Sequence, residues 1–205
     1  AYEVVEVLCR GFATSFSNDQ LAEQTLKTIY DNSLTLLYRL LFVFYAEARE
    51  LLPLTTNQSY RDKYSLHRLT QEIDETLAKG YQLSSKSTSY YQRVSNLFKL
   101  INEGDRDLGV PEYNGGLFDP EEHPFLEKHA IADSFLVQAI HQLARIPDKK
   151  LGYEVAVDYN TLSERHLGSI YEGLLEFKPR IATSDLVTIR DKGSIKYTPA
   201  DKYPD

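Results

Sequence analysis

The sequence has very little sulfur: among its 205 residues there is one cysteine, Cys9, and no methionine. A single cysteine cannot form an internal disulfide, which excludes a disulfide-stabilised scaffold and favours a reducing compartment. We therefore expect a cytoplasmic protein. Methionine is missing even at position 1, and the last residues, Lys202 to Asp205, contain no closing element. We accordingly expect a piece of a longer protein.

Long hydrophobic runs are also missing. The most apolar stretch, Leu34 to Ala46, is interrupted by Thr35 and Arg39. It is shorter than the roughly 20 apolar residues that a membrane-spanning helix needs. A hydrophobic share of 42% and a charged share of 26% are ordinary for a globular domain. The composition therefore argues against a membrane protein, a fibre and a disordered chain.

Positive charge is scarce, because 23 Lys and Arg residues face 30 Asp and Glu residues and give a net charge of -7. Strong binding to nucleic acid needs a basic surface that neutralises phosphates, so the chain should bind DNA weakly by itself. Residues 178–205 differ, since they hold six basic and four acidic side chains. The candidate DNA contacts in this tail are Lys178, Arg180, Arg190, Lys192 and Lys196.

Common signatures of catalysis are absent as well. Gly115 and Gly116 stand without the Lys-Ser/Thr or the third glycine of a phosphate-binding loop, and there is no Gly-x-Ser-x-Gly elbow. Asp148 is followed by Glu154, but Ala156 occupies the position where a nuclease needs lysine. We predict no catalytic, cofactor-binding or metal-binding residue in this chain.

Two groups of histidines leave alternatives open. His123 and His129 lie among three glutamates that could ligate a metal, but His123 precedes Pro124, so the pair cannot share one helical turn. A helix N-terminus with nearby acids is the simpler interpretation. His166 follows Arg165 within an amphipathic pattern that is typical of a structural histidine. An enzyme whose Glu and His residues converge in one pocket remains a further hypothesis.

Helical periodicity is what the sequence does contain. Apolar residues recur at helical spacing from Leu21 to Leu52, and Pro53 stops the pattern. Because part of this segment is apolar on all sides, it is typical of a buried central helix. Further helices are predicted from Ser65 to Gly80, from Tyr90 to Gly104, over Ala130–Arg145 and over Leu162–Phe177.

The pattern changes after Phe177, where alternating apolar residues on either side of Asp191-Lys192-Gly193 predict a β-hairpin near 186–198. The predicted fold is mainly α, a multi-helix array around a buried central helix with a small C-terminal β-hairpin. We divide the chain into a helical domain, residues 1–177, and a β-hairpin appendage, residues 178–205.

Three segments together carry a family resemblance. The first is LLYRLLFVFYAEARELLP at 36–53, with Tyr38, Arg39, Glu47 and Arg49. The second is YNGGLF at 113–118, followed by HPFL at 123–126, with Tyr113, Asn114, Gly115, Gly116 and Phe118. The third is LGSIYEGLLEF at 167–177, with Gly168, Tyr171 and Glu172 and the preceding His166. In this order they resemble the helical region of large bacterial type IIG restriction–modification enzymes, which combine an endonuclease with an adenine-N6 DNA methyltransferase in one chain.

The resemblance implies a helical connector between a nuclease domain and a methyltransferase domain. The Asn-Pro-Pro-Tyr motif and the glycine motif that binds S-adenosylmethionine in that family have no counterpart here. We therefore expect a non-catalytic spacer, with S-adenosylmethionine and Mg²⁺ needed by the intact parent alone. Its implied partners are the flanking domains of the same chain, and DNA through the parent. A free-standing helical protein-interaction module is the alternative.

Two structural expectations follow for the signature residues. Asn114, Gly115 and Gly116 should supply backbone geometries that bulkier residues cannot adopt, and so fix Leu117 and Phe118 as a plug. Arg39, Glu47 and Arg49 should be partly buried, paired residues on an otherwise apolar helix.

Overall fold

The fold is described from a computed structural model. The structure describes residues 2–113, 115–148, 150, 152–175, 180, 182, 184, 186–191 and 194–202. Its helices are α1 (Tyr2–Ala13), α2 (Glu23–Ala48), α3 (Gln58–Lys63), α4 (Leu66–Ala78), α5 (Ser89–Glu103), α6 (Pro124–Lys128), α7 (Asp133–Ala144) and α8 (Glu164–Leu175). Its strands are β1 (Arg145–Pro147), β2 (Glu154–Ala156), β3 (Leu186–Asp191) and β4 (Ser194–Pro199). A mainly helical fold with a small C-terminal hairpin is thereby confirmed.

The central helix is α2, as the sequence predicted. Leu34, Leu40 and Ala46 are at most 5% exposed, and at about 100° of helical rotation per residue they point to three different sides of α2. Such burial on several sides requires neighbours all around the helix, and α2 packs against α1, α4, α6 and the Gly116–Phe118 turn. The core of the molecule therefore surrounds α2.

The C-terminus of α2 corrects the prediction that this helix continues to Leu52. The helix ends at Ala48, and Glu50 adopts a left-handed backbone with φ of 57°. The amides of Leu51 and Leu52 both donate to the carbonyl of Ala46, at 2.9 and 3.3 Å. The chain thus turns before it reaches Pro53, because local hydrogen bonds close the helix earlier than proline would.

Helix α1 packs closely on α2 and α7. At Gly11 a Cβ atom would lie 2.5 Å from Cγ2 of Ile131 and 3.0 Å from Cβ of Phe135. Glycine is needed here for close approach, since real Cβ contacts are longer than this. The first helix is therefore fitted to a segment more than a hundred residues later.

The predicted ends of α4 and α5 are confirmed. The Ser65 hydroxyl accepts a hydrogen bond from the amide of Arg68 at 3.1 Å and so caps α4. Gly80 and Gly104 follow α4 and α5 with φ of 68° and 69°, the left-handed backbone that often ends a helix.

The segment after α7 differs from its prediction. The predicted helix Ala130–Arg145 is shorter and begins at Asp133, and its last residue becomes the start of β1. Strand β1 pairs with β2 in an antiparallel register that places Ile146 opposite Val155. The pairing partner lies beyond a loop, so helical periodicity alone could not reveal this small sheet.

The C-terminal hairpin matches its prediction, with β3 and β4 paired from Leu186 opposite Pro199 to Asp191 opposite Ser194. The hydroxyl of Tyr197 donates to Oε2 of Glu6 at 2.8 Å, which joins the hairpin to α1. The predicted end of α8, Phe177, lies outside the described residues. The boundary between residues 177 and 178 stays a prediction.

Candidate functional site

Glu47 is a buried carboxylate that caps a helix distant from it in sequence. It is 4% exposed, and it accepts hydrogen bonds from the amides of Leu66 at 2.8 Å and His67 at 2.9 Å. These amides belong to the first turn of α4, where the helix itself leaves N–H groups without acceptors. The hydroxyl of Tyr60 donates a third bond, at 2.9 Å. Glu47 thus fastens α4 to α2.

The charge of Glu47 is costly in this position. Burial raises its pKa to about 7, although the three donated hydrogen bonds oppose that shift. The pKa of Tyr60 is also raised, first by burial and then by the neighbouring carboxylate. A carboxylate that titrates near neutrality has the property of a general base. Its acceptor positions, however, face amides of the protein itself, so the site is suited to holding structure.

Arg39 lies two turns earlier on α2 and is 2% exposed. Its Nε donates to the carbonyl of Leu117 at 2.6 Å, and its guanidinium lies 5.4 and 5.8 Å from the ring centroids of Phe98 and Phe118. Within the described part of the chain Nη2 has no hydrogen-bond partner. Burial lowers the pKa of Arg39. Arg39 therefore joins α2 to α5 and to the 113–118 loop.

The pairing expected of Arg39, Glu47 and Arg49 is wrong. No ion pair among the described residues includes any of the three. Arg49 is exposed, contrary to expectation, and its Nη2 donates to the carbonyl of Leu162 at 3.3 Å while its guanidinium lies 5.4 Å from the Tyr45 ring. Among the described residues, neither Arg39 nor Glu47 has a partner of opposite charge at bonding distance. Backbone groups, aromatic rings and the Tyr60 hydroxyl contact these two buried charges instead.

The 113–118 loop forms the predicted plug. Phe118 is 4% exposed, and its ring centroid lies 5.2 Å from that of Phe42 and 5.6 Å from that of Phe98. Tyr113 packs edge-on against Phe42 at 5.2 Å, and its hydroxyl donates to the carbonyl of Leu51 at 3.2 Å. Aromatic contacts of this kind fix the loop on the surface of α2.

The prediction that Gly115 and Gly116 adopt backbone geometries closed to bulkier residues is not supported. Gly115 has φ of -115°, and neither it nor Gly116 is among the positive-φ residues of the described chain. A Cβ on Gly116 would meet the carboxylate of Glu122, which is the movable end of a flexible side chain. Asn114 lies outside the described residues. The loop is therefore held by its aromatic side chains and not by strained glycine backbone.

The third signature segment lies elsewhere. His166 is exposed on α8, and its Nδ1 lies 3.0 Å from the hydroxyl of Ser163 at the start of that helix. Gly168 and Glu172 are exposed, and the side chain of Tyr171 is outside the described residues. The structure thus brings Tyr38, Arg39, Tyr113 and Phe118 into one region around α2 but leaves His166, Gly168 and Glu172 at a separate surface.

The candidate DNA contacts are only partly visible. Arg180 is exposed. The backbones of Arg190 and Lys196 lie in β3 and β4, but their side chains are outside the described part of the chain. Lys178 and Lys192 lie outside the described residues. Contact with DNA by these five residues stays a prediction.

The histidines near α6 do not assemble a metal centre. Nε2 of His123 lies 3.1 Å from the carbonyl of Gly116, and burial, followed by the nearby Arg39, lowers the pKa of His123. His129 stacks on Phe16 with ring centroids 5.0 Å apart. Within the described ranges no three His, Cys, Asp or Glu side chains are arranged to hold a metal ion.

Two polar clusters escaped sequence reasoning. Asp133 is 4% exposed, and its carboxylate accepts bonds from the hydroxyls of Ser87 and Ser89 at 2.5 and 2.8 Å and from the amide of Tyr90 at 3.0 Å. It thereby caps α5 from 43 positions away. The serine-rich segment before α5 is typical of a helix N-terminus. No local pattern, however, identifies Asp133 as the acceptor for this end of α5. The second cluster surrounds His141, whose ring nitrogens face Asp74 and Glu154.

Two surface depressions within the described ranges are not lined by the signature residues. An open groove of about 580 Å³ on α3 and α4 is lined by Arg61, Asp62, His67, Arg68, Gln71 and Glu72. Its charges already pair with one another, as Arg68 does with Glu72 at 3.1 Å. A polar groove without apolar walls is unlike the usual small-molecule site.

No helix in the described part of the chain is long and apolar enough to cross a bilayer. No family model matches the chain, and no curated protein or solved structure matches it significantly.

Proposed function

We propose that this chain is the non-catalytic helical connector of a bacterial type IIG restriction–modification enzyme. The observation that carries the proposal is the use made of the signature side chains around α2. Arg39 bonds the carbonyl of Leu117, Glu47 bonds two amides of α4, and Tyr113 bonds the carbonyl of Leu51. Each of these bonds joins one segment of the chain to another. None is directed into a cavity where a substrate would lie.

A connector needs this kind of bonding. Enzymes of this type cut DNA at a set distance from the sequence that they recognise, so the element between the two catalytic units must resist bending. Buried polar bonds between helices favour one relative arrangement, because any shift leaves a buried N–H or carbonyl unpaired at a cost of about 1–3 kcal/mol. The polar bonds of α2 supply such resistance at two of its neighbours, α4 and the plug.

An interaction module remains the second candidate, and one observation favours it. Ile146 is 49% exposed, Tyr153 is 61% exposed and Tyr81 is 64% exposed. Exposed apolar and aromatic side chains are common at protein interfaces. A connector also uses such residues where it meets its flanking domains, so their exposure alone does not separate the two functions.

The gene separates them at once. A connector requires an Asn-Pro-Pro-Tyr motif encoded after residue 205 and a nuclease Asp…Glu-x-Lys pattern encoded before residue 1. An open reading frame that encodes neither would reject the connector and favour the interaction module.

A variant of the intact enzyme tests the mechanism. Phe118→Leu shortens a side chain that contacts α2 and α5, so it should loosen the plug without abolishing the fold. We expect the cut positions to spread over neighbouring phosphodiester bonds while methylation of the recognition site continues. Glu75→Gln is the control, because Glu75 is exposed on α4, is not one of the exposed apolar side chains, and should leave the cut positions sharp. Loss of methylation with sharply positioned cutting would refute the proposal.

A further inference from the structure

A second polar cluster, two turns further along α4 than the amides that bond Glu47, centres on His141 of α7. Its Nδ1 lies 3.3 Å from Oδ1 of Asp74 on α4, and its Nε2 lies 2.9 Å from Oε2 of Glu154 on β2. Arg145 of β1 donates through Nε to Oδ2 of Asp74 at 3.1 Å, and its Nη2 bonds the same oxygen. The side chains of His141 and Asp74 are about three-quarters buried. Four side chains therefore join two helices to a two-stranded sheet.

The geometry of His141 constrains its protons. A neutral imidazole has one N–H and one lone pair, whereas an imidazolium has two N–H donors. Both ring nitrogens of His141 face carboxylate oxygens, which accept hydrogen bonds and do not donate them when ionised. A neutral ring would direct a lone pair at one of these oxygens. Each contact is attractive only when a proton lies between the ring nitrogen and the carboxylate oxygen that faces it. The ring and the two acids must therefore share two protons, one for each contact.

The charges around the ring agree with a cation. Asp74 and Glu154 face it from α4 and β2, and the nearest positive group, Arg145 of β1, is turned to the second oxygen of Asp74. Arg93 of α5 bonds Glu72 of α4. Helix α1 contacts α7 at Phe135, six residues before His141. Two acids and one arginine leave room for one further positive charge at the centre.

We propose that His141, Asp74 and Glu154 form a proton-dependent clamp that holds the tip of the β1–β2 hairpin on the helical body. When the ring loses its second proton, the contact with Glu154 or Asp74 becomes repulsive and the hairpin tip is released. An imidazole is the side chain whose charge ordinarily changes near neutral pH, which makes the ring the proton-sensitive member of the clamp. The released tip carries Ile146 and Tyr153, which are already exposed.

The base of the hairpin provides an internal reference. The amide of Val157 donates to the carbonyl of Ala144 at 2.9 Å, and the Tyr159 ring that follows stacks on Phe44 with centroids 4.9 Å apart. These contacts do not involve the clamp. The amide of Asp148, which donates to the carbonyl of Tyr153 at 3.0 Å, lies at the tip. Opening of the clamp should therefore affect Asp148 and spare Val157.

The test uses the whole chain and two measurements by nuclear magnetic resonance. The first follows the ring ¹⁵N resonances of His141, which lie close together when both nitrogens carry protons and separate widely in a neutral ring. The second follows amide hydrogen exchange, corrected for the intrinsic effect of pH on exchange. Between about pH 6 and 8.5 we expect protection of the Asp148 amide to fall about tenfold while that of Val157 changes little.

Two variants complete the test. Glu154→Gln, at a side chain that is 53% exposed, should keep the fold and make protection of the Asp148 amide independent of pH, because the glutamine NH₂ can donate to Nε2 of a neutral ring. His67→Gln, at an exposed histidine of α4, is the control and should behave as the wild type. The proposal fails if the His141 ring is neutral at about pH 6. It also fails if Asp148 and Val157 lose protection together, or if Glu154→Gln retains the pH dependence of the wild type.

Discussion

Replacing Glu47 by glutamine keeps the shape of the side chain and removes its charge. Because burial raises the pKa of Glu47 to about 7, the folded protein holds this proton more tightly than the unfolded chain, whose glutamate titrates near 4.5. Between these two values the folded state therefore binds more protons. It follows that the contribution of Glu47 to the free energy of unfolding falls as the pH rises through this window, and is constant above it.

The magnitude follows from the size of the shift. A rise from 4.5 to about 7 corresponds to about 3 kcal/mol. At about pH 5 the wild-type side chain is largely a neutral acid. Glu47→Gln should then be the less stable protein by about 1–3 kcal/mol, because its NH₂ group cannot accept a hydrogen bond from the amides of Leu66 and His67 or from the hydroxyl of Tyr60. At about pH 8.5 the wild type holds a buried charge and the variant does not. We therefore expect the stability difference to move in favour of the variant by about 3 kcal/mol between the two pH values.

The assay is urea unfolding followed by far-ultraviolet circular dichroism at several values from about pH 5 to 8.5. Glu75→Gln is the matched control, since Glu75 is exposed on α4 and its loss should leave the wild-type profile unchanged. The histidines are the same in all three proteins, so their contributions cancel in the comparison. Parallel profiles for the wild type and Glu47→Gln would refute the reasoning.

Three further predictions concern stability, each measured by urea unfolding at a fixed pH. Arg39→Met should change the free energy of unfolding by less than about 1 kcal/mol, because a buried guanidinium that makes one hydrogen bond to the described residues stabilises little more than an apolar side chain of similar length. Arg39→Ala should cost about 3 kcal/mol, and equal losses in the two variants would contradict this reasoning. Gly104→Ala should cost roughly 1–3 kcal/mol, since φ is 69° and a Cβ would lie 2.8 Å from the amide nitrogen of Glu112. Gly116→Ala should cost less than about 1 kcal/mol, and the reverse order of costs would show that the 113–118 loop does depend on glycine backbone. Asp133→Ala should cost about 2–4 kcal/mol by leaving the first turn of α5 without its cap, and a loss below about 0.5 kcal/mol would show that water replaces the carboxylate.

Features governed by neighbouring residues could be predicted from the sequence. Ser65, Gly80 and Gly104 act within one turn of the helix end that they define, so the pattern around each is sufficient. The central position of α2 was predictable for a similar reason, because its apolar residues cover more than one face. The β3–β4 hairpin is also local, since its strands are adjacent in the sequence.

Features governed by distant residues could not be predicted. Glu47 caps a helix 19 positions later, and Asp133 caps one 43 positions earlier, so no spacing rule indicates either role. The resemblance identified Glu47 as a notable residue, but it suggested a charged partner where the structure has backbone amides. The prediction that α2 continues to Leu52 is wrong because it rests on Pro53 as the stop signal. The helix ends at Ala48, and the left-handed Glu50 reverses the chain before Pro53.

The contact between α1 and α7 has a consequence for synthesis on the ribosome. Helix α1 ends at Ala13 and α7 begins at Asp133, so about 120 residues separate the two elements. At roughly 5–20 residues per second, the nascent chain carries α1 for about 6–24 s before its partner emerges. During that interval α2 can cover part of the apolar surface, but the face around Gly11 stays open to water or to a chaperone. Helix α1 is thus made before α2 to α7 but is among the last of them to be completely packed.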